Sequence, residues 1–337
     1  MEEVSKQPLL CVRDLCKVYP LKQPFMDVLQ RKPQKRLAAV NHVSFSVEKG
    51  QIFGLVGESG CGKSTLAKSI IHLEPPTSGE VEIDGVNITR LDRGALRRNC
   101  RNFQMIFQDP YSSLNPRMTV REILSEELRY HRICTSREMP NAVERLLNMV
   151  GLSPTVADRY PGEFSGGQRQ RIGIARALAM RPKLIIADEP VSALDVSIQA
   201  QILNLLVELR EKLDLTILFI SHDLRVVEYI TDRIAVMYLG EIVELADTEE
   251  LYAHALHPYT QALLRAAPQL DPDAADDEQI LQGELPSPID LPDGCHFAAR
   301  CPMACEACTR QTPVLREIQK GHWAACLRLK EGKEATL

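Results

Sequence analysis

Short apolar runs alternate with stretches of helical periodicity along most of the chain. Residues 9–12, 43–47 and 52–56 are rich in branched and aromatic side chains and predict strands. Helical spacing takes over at 63–73. Residues 80–83 then alternate polar and apolar before Asp84-Gly85, a turn signal. A strand at 103–107 follows, then helical periodicity over 119–150 interrupted near Pro140, then an amphipathic helix over 166–180. A buried strand at 184–187, a helix over about 196–212, a strand at 216–220, a short helix from Asp223 and a hairpin across 233–245 complete the order. This alternation predicts an α/β fold whose largely parallel sheet is covered on both faces.

Two stretches break the pattern. Residues 21–36 hold two prolines and five Lys or Arg and read as a solvated loop rather than a lipid contact. Residues 271–278 are acidic and weakly hydrophobic, so a linker is expected there, with a domain boundary near 270–285. The expected organisation is a main domain over 8–268 and a linker with a small Cys-rich extension over 269–337. The chain has 337 residues, 45% hydrophobic and 25% charged, which fits a globular protein. Its formal charge of −5 argues against a general nucleic-acid binder. Apolar runs are far shorter than the roughly 18 residues that span a bilayer. The acidic N-terminus has no apolar core of a signal peptide, so a cytosolic chain is expected, with any membrane connection made through a partner.

Gly57-Glu58-Ser59-Gly60-Cys61-Gly62-Lys63-Ser64 matches G-x-x-x-x-G-K-[ST] between a predicted strand and a predicted helix that continues with Thr65. Glycines let successive backbone N–H groups turn inward as an anion nest, and the helix N-terminus adds partial positive charge. Lys63 is placed to neutralise the β- and γ-phosphates of a nucleotide, and Ser64 to bind Mg²⁺. Residues 184–187 lead into Asp188-Glu189, which puts two carboxylates at the carboxyl end of a buried strand. Asp188 suits Mg²⁺, and Glu189 suits a general base for the attacking water. The Asn-Lys-x-Asp sequence that reads guanine is missing.

Phe164-Ser165-Gly166-Gly167-Gln168-Arg169-Gln170-Arg171 resembles the signature of ABC ATPases, with Phe164 where that family usually has Leu. The resemblance covers about residues 8–268. It implies an ABC nucleotide-binding domain with a parallel-rich core sheet, an antiparallel β subdomain and an α-helical subdomain. It also implies that Ser165, Gly166, Gly167 and Gln168 close on a nucleotide held by a second subunit. By the same likeness Tyr19 stacks on adenine, Gln108 contacts Mg²⁺ or water, Asp195 lies at the dimer seam and His222 touches the γ-phosphate.

Residues 108–120 and 257–264 are similar to segments of the ATPases of dipeptide and oligopeptide importers; the second also reads as a helix cap and an amphipathic helix. The likeness implies ATP hydrolysis at the cytoplasmic membrane face, two permease subunits, a second ABC ATPase subunit and an extracellular solute-binding protein. Nickel or metal-chelate import is the nearest alternative, and a soluble non-transport ABC ATPase the alternative of another class. Cys295, Cys301, Cys308 and Cys326 match positions that carry a [4Fe–4S] cluster in some members. With Cys305 so close to Cys308, Zn²⁺ or unmetallated thiols remain open readings.

Overall fold

A computed structural model describes residues 7–23, 29–30, 33–266, 286–289, 291 and 293–329. The expected linker at 271–278 and much of the basic stretch before residue 33 lie outside these. In chain order the first elements are β1 (Leu10–Pro20), β2 (Arg36–Val47), β3 (Ile52–Val56), α1 (Lys63–Ile70), β4 (Ser78–Ile83), β5 (Val86–Asn87) and α2 (Arg93–Asn99). There follow β6 (Phe103–Ile106), α3 (Pro110–Ser113), α4 (Val120–Tyr130), α5 (Met139–Met149), α6 (Gly166–Leu178), β7 (Leu184–Asp188), α7 (Val196–Leu213) and β8 (Thr216–Ser221). The last are α8 (Leu224–Ile230), β9 (Arg233–Tyr238), β10 (Glu241–Asp247), α9 (Thr248–Ala253), α10 (Pro258–Ala266), β11 (Arg316–Gln319) and β12 (His322–Ala324).

Most expected elements form, and the departures have local causes. Pro140 does not interrupt a helix but sits in the first turn of α5, where its missing N–H has no helical partner to lose. The break falls at 131–138. Helix α2 buries no residue, so it carries no apolar stripe for periodicity to reveal. Strands β11 and β12 are too short to show alternation.

The described chain divides into two compact units. One is built from Val47–Ile52, Ile83–Ile220 and the described residues up to Leu10. Its strands β6, β7 and β8 pair in parallel, with Phe103 opposite Leu184 and Asp188 opposite Ile220. Every residue of β7 and β8 is buried, as strands covered on both faces require. Helix α6 packs on β6 and against α3, α4, α5 and α7.

The other unit comprises Cys11–Ser46, Phe53–Glu82 and the chain from Ser221 onward. Here β3 pairs in parallel with β9, from Phe53 opposite Arg233 to Val56 opposite Val236. The chain reverses through Leu239 and Gly240, both at positive φ (43° and 85°), as a tight hairpin of that hand demands. Strand β10 then pairs antiparallel with β9 on one side and with β12 on the other, and β11 continues the sheet. The C-terminal strands thus extend the edge of the hairpin. In the second sheet, β2, β1 and β4 lie side by side in that order.

Candidate nucleotide site

The loop 57–64 links β3 to α1, and at Gly57 and Gly62 close backbone contacts leave no room for a side chain. A Cβ on Gly57 would lie 2.2 Å from the Met237 carbonyl oxygen, and one on Gly62 2.1 Å from that of Ala39. Lys63 is buried, and its ammonium donates to the carbonyls of Gly57 (2.7 Å) and Glu58 (2.9 Å). The cation is therefore held over the loop's own backbone, where a phosphate would compete for it. Cys61 is buried beneath the loop, and burial pushes its thiol pKa up. Ser59 and Gly60 form the exposed crest, while Ser64 and Thr65 are half-buried at the start of α1.

Two residues not anticipated from sequence hold this loop from behind. The Glu58 N–H donates to the Tyr259 hydroxyl oxygen at 3.0 Å. Arg300 donates to both carboxylate oxygens of Glu58, at 2.8 and 3.0 Å. Their partners lie 201 and 242 positions away, so no local pattern could reveal them. The only hint was Tyr259's place in the singled-out segment 257–264.

Tyr19 is the penultimate residue of β1; its hydroxyl donates to Glu74, and Lys17 lies over its ring at 5.0 Å to the centroid. Burial first, then the Glu74 carboxylate, pushes the phenol pKa up to about 12, while Thr65 acts against this. Tyr19 is thus brought beside the start of α1. His222 is exposed between β8 and α8.

In the other unit, β7 delivers Asp188 as a buried carboxylate. The next residue, Glu189, takes a left-handed φ of 45°, an uncommon conformation for a residue with a side chain. Its N–H donates to the Ile220 carbonyl at 2.9 Å, which stabilises the turn. Gln108, just past β6, donates from Nε2 to Glu189 Oε2 at 2.7 Å, so the two residues proposed to handle water meet directly.

Ser165 caps α6 in a reciprocal box with Gln168. The Gln168 N–H donates to Ser165 Oγ (3.4 Å), and the Ser165 N–H to Gln168 Oε1 (3.1 Å). Phe164 is buried, so the departure from Leu keeps an apolar anchor. Ser165, Gly166 and Gln168 are exposed at the cap, Gly167 is buried against α7, and Asp195 is exposed ahead of α7.

The cysteine expectation is corrected. Cys305 and Cys308 bring their sulfurs to 3.5 Å, and Cys295, Cys301 and Cys326 lie within electrostatic reach of Cys308. Among the described residues, however, no three His, Cys, Asp or Glu side chains converge in a way that could hold a metal ion. Burial raises the thiol pKa of Cys295 to about 11 and also raises those of Cys301 and Cys308, opposing the thiolates a metal needs. The four cysteines do not fit a cluster in this arrangement.

The loop after a strand, the strand-end carboxylates and the serine-capped signature helix define a phosphate-loop ATPase of cassette type. Residues 40–192 match the family profile described as ABC transporter, and residues 243–308 match the oligopeptide/dipeptide transporter C-terminal region. A putative peptide import ATP-binding protein of Brucella ovis is 51% identical over 325 residues, 96% of this chain and 99% of the relative. The oligopeptide transport ATP-binding protein AppF of Bacillus subtilis is 51% identical over 329 residues, 97% and 99% of the two chains. The dimeric post-hydrolysis structure of the cassette MJ0796 bound to ADP and Pi superposes with a TM-score of 0.62 at 29% identity, covering 71% of this chain and 98% of that one. CbiO1 from Clostridium perfringens, part of the transporter complex CbiONQ, gives 0.62 at 25% identity, covering 73% and 91%. The chain belongs to the ABC transporter ATP-binding family, in its oligopeptide/dipeptide transporter branch.

Proposed function

We propose that this chain is the ATP-hydrolysing subunit of an ABC importer, energising uptake of dipeptides or oligopeptides through membrane permease subunits. The observation that carries the reading is the glycine loop 57–64, with Lys63 buried and bonded to the loop's own carbonyls. Lys63 neutralises the β- and γ-phosphates as ATP displaces those carbonyls, and Tyr19 stacks on the base. Ser64, Asp188 and Gln108 would hold Mg²⁺, whose charge offsets that of the phosphates. Phosphoryl transfer needs positioning and charge neutralisation more than covalent help. Glu189, which accepts from Gln108 Nε2, takes the proton of the attacking water. His222 contacts the γ-phosphate.

Ser165, Gly166, Gly167 and Gln168 act on the nucleotide of an opposing ATPase subunit, with Asp195 at the seam. The exposure of Ser165, Gly166, Gln168 and Asp195 supports that reading. Two permeases and a second, related ATPase complete the assembly at the cytoplasmic membrane face, and an extracellular receptor selects the peptide. In this proposal residues 8–268 form the ATPase domain, and residues 269–337 a linker and Cys-rich extension. Among the described residues no helix is long and apolar enough to cross a membrane, in keeping with a peripheral subunit.

The test is Glu189→Gln in the purified importer. Hydrolysis should fall by about 10²–10⁴-fold, the contribution of a general base, while ATP affinity stays within about threefold. Undiminished turnover would remove Glu189 from the role of base.

A further inference from the structure

The phosphate loop carries an acidic side chain at its second position. Glu58 lies between Gly57 and the crest of the nest that is to receive a polyanion. An unpaired carboxylate there would repel the phosphates through a partly desolvated path, where charges are poorly screened. In this structure the charge is paired. Arg300 meets Glu58 in a two-bond fork, 2.8 and 3.0 Å, the geometry in which guanidinium and carboxylate match best. The Arg300 side chain is only 6% exposed, against 26% for Glu58.

The guanidinium is itself held in place. It lies over the Tyr238 ring, 6.0 Å from the centroid, and Tyr238 packs edge to face on Phe297 at 5.3 Å. Tyr259 packs on both, and its hydroxyl accepts the Glu58 N–H. One face of Glu58 is thus fixed through its backbone and the other through its carboxylate, both from the region beyond residue 238. The pairing also holds the Arg300 guanidinium above its ordinary pKa range.

We propose that Arg300 is a positioning residue for ATP: by pairing with Glu58 it neutralises the loop's one acidic side chain and fixes the loop for the phosphates. The C-terminal region thereby sets nucleotide affinity without touching nucleotide. This rests on the reading of residues 57–64 as the phosphate loop for ATP.

The test uses the full chain with MgATP, and the assembled importer for turnover. Arg300→Met should weaken MgATP binding by about tenfold and raise KM with kcat within about twofold. Arg300→Met combined with Glu58→Gln removes the Glu58 charge and should bind MgATP several-fold more tightly than Arg300→Met alone, a recovery that a purely structural role for Arg300 would not produce.

If Arg300→Met does not fold, Arg300→Lys keeps the charge without the fork. It should bind about threefold more weakly than the parent and regain affinity with Glu58→Gln. Parent-like affinity of Arg300→Met, or of Arg300→Lys in its place, overturns the proposal, as does a double variant no tighter than the single one. Lys63→Ala is the control on the underlying reading: if it binds MgATP like the parent, the loop assignment fails whatever Arg300 does.

Discussion

A methyl group on Gly57 or Gly62 would run into a backbone carbonyl, and backbone cannot move aside as the end of a flexible side chain can. Both positions also lie at positive φ, 154° and 110°, which suits glycine. Gly57→Ala should therefore lose MgATP binding and lower the melting temperature by several degrees. Lys63→Met should lose binding with a much smaller change in melting temperature. Equal melting temperatures for Gly57→Ala and the parent would show that the loop relaxes around the methyl.

His257 gives a second expectation at this scale. Its Nδ1 accepts the Tyr259 N–H at 3.1 Å, which requires an unprotonated nitrogen, and burial depresses its pKa to about 4. The unfolded chain binds this proton near the ordinary value of about 6.5. The stability contributed by the neutral ring is therefore fully present above about pH 6.5 and is lost as pH falls toward about 4. Denaturant titrations across that window should show the decline, and His257→Gln should flatten it.

At the scale of the element, α6 joins the signature to the rest of its unit. A Cβ on Gly167 would come within 2.4 Å of Ile198 Cγ2, so the closeness of α6 to α7 depends on the missing side chain. Gly167→Ala should destabilise the chain by about 1–3 kcal/mol, a usual penalty for overpacking. Gly167→Ala with Ile198→Ala should recover part of that in equilibrium unfolding, since the second change removes the obstructing atom. No recovery would mean that the glycine matters for something other than that contact. Farther along the same helix, the Arg176 guanidinium donates to the Ser113 carbonyl, and burial lowers its pKa. This ties the signature helix to the segment after Gln108.

Over the whole molecule, the C-terminal strands are held by a carboxylate with no exposure. Glu244 accepts from the N–H groups of Leu256 (2.6 Å) and His257 (3.1 Å), and its Oε1 lies 2.8 Å from His322 Nε2 on β12. Removing one partner of such a group leaves a buried acceptor underused, at a cost of about 1–3 kcal/mol. His322→Ala should show that loss in denaturant melts, and parent-like stability would mean Glu244 does not depend on the imidazole.

What the sequence determined by itself was local or periodic. The glycine spacing at 57–64, the acids closing β7, the signature before α6 and the all-apolar strands are written in adjacent residues, and each formed where it was read. Tertiary structure decided what depends on distant partners. Arg300 on Glu58, Tyr259 under the loop, His322 on Glu244 and the pairing of β12 with β10 all join residues that far exceed any helical or strand period in separation. The cysteines mark the same divide: their spacing matched a metal site, but convergence is set by the folded path and by burial, and neither is encoded in spacing.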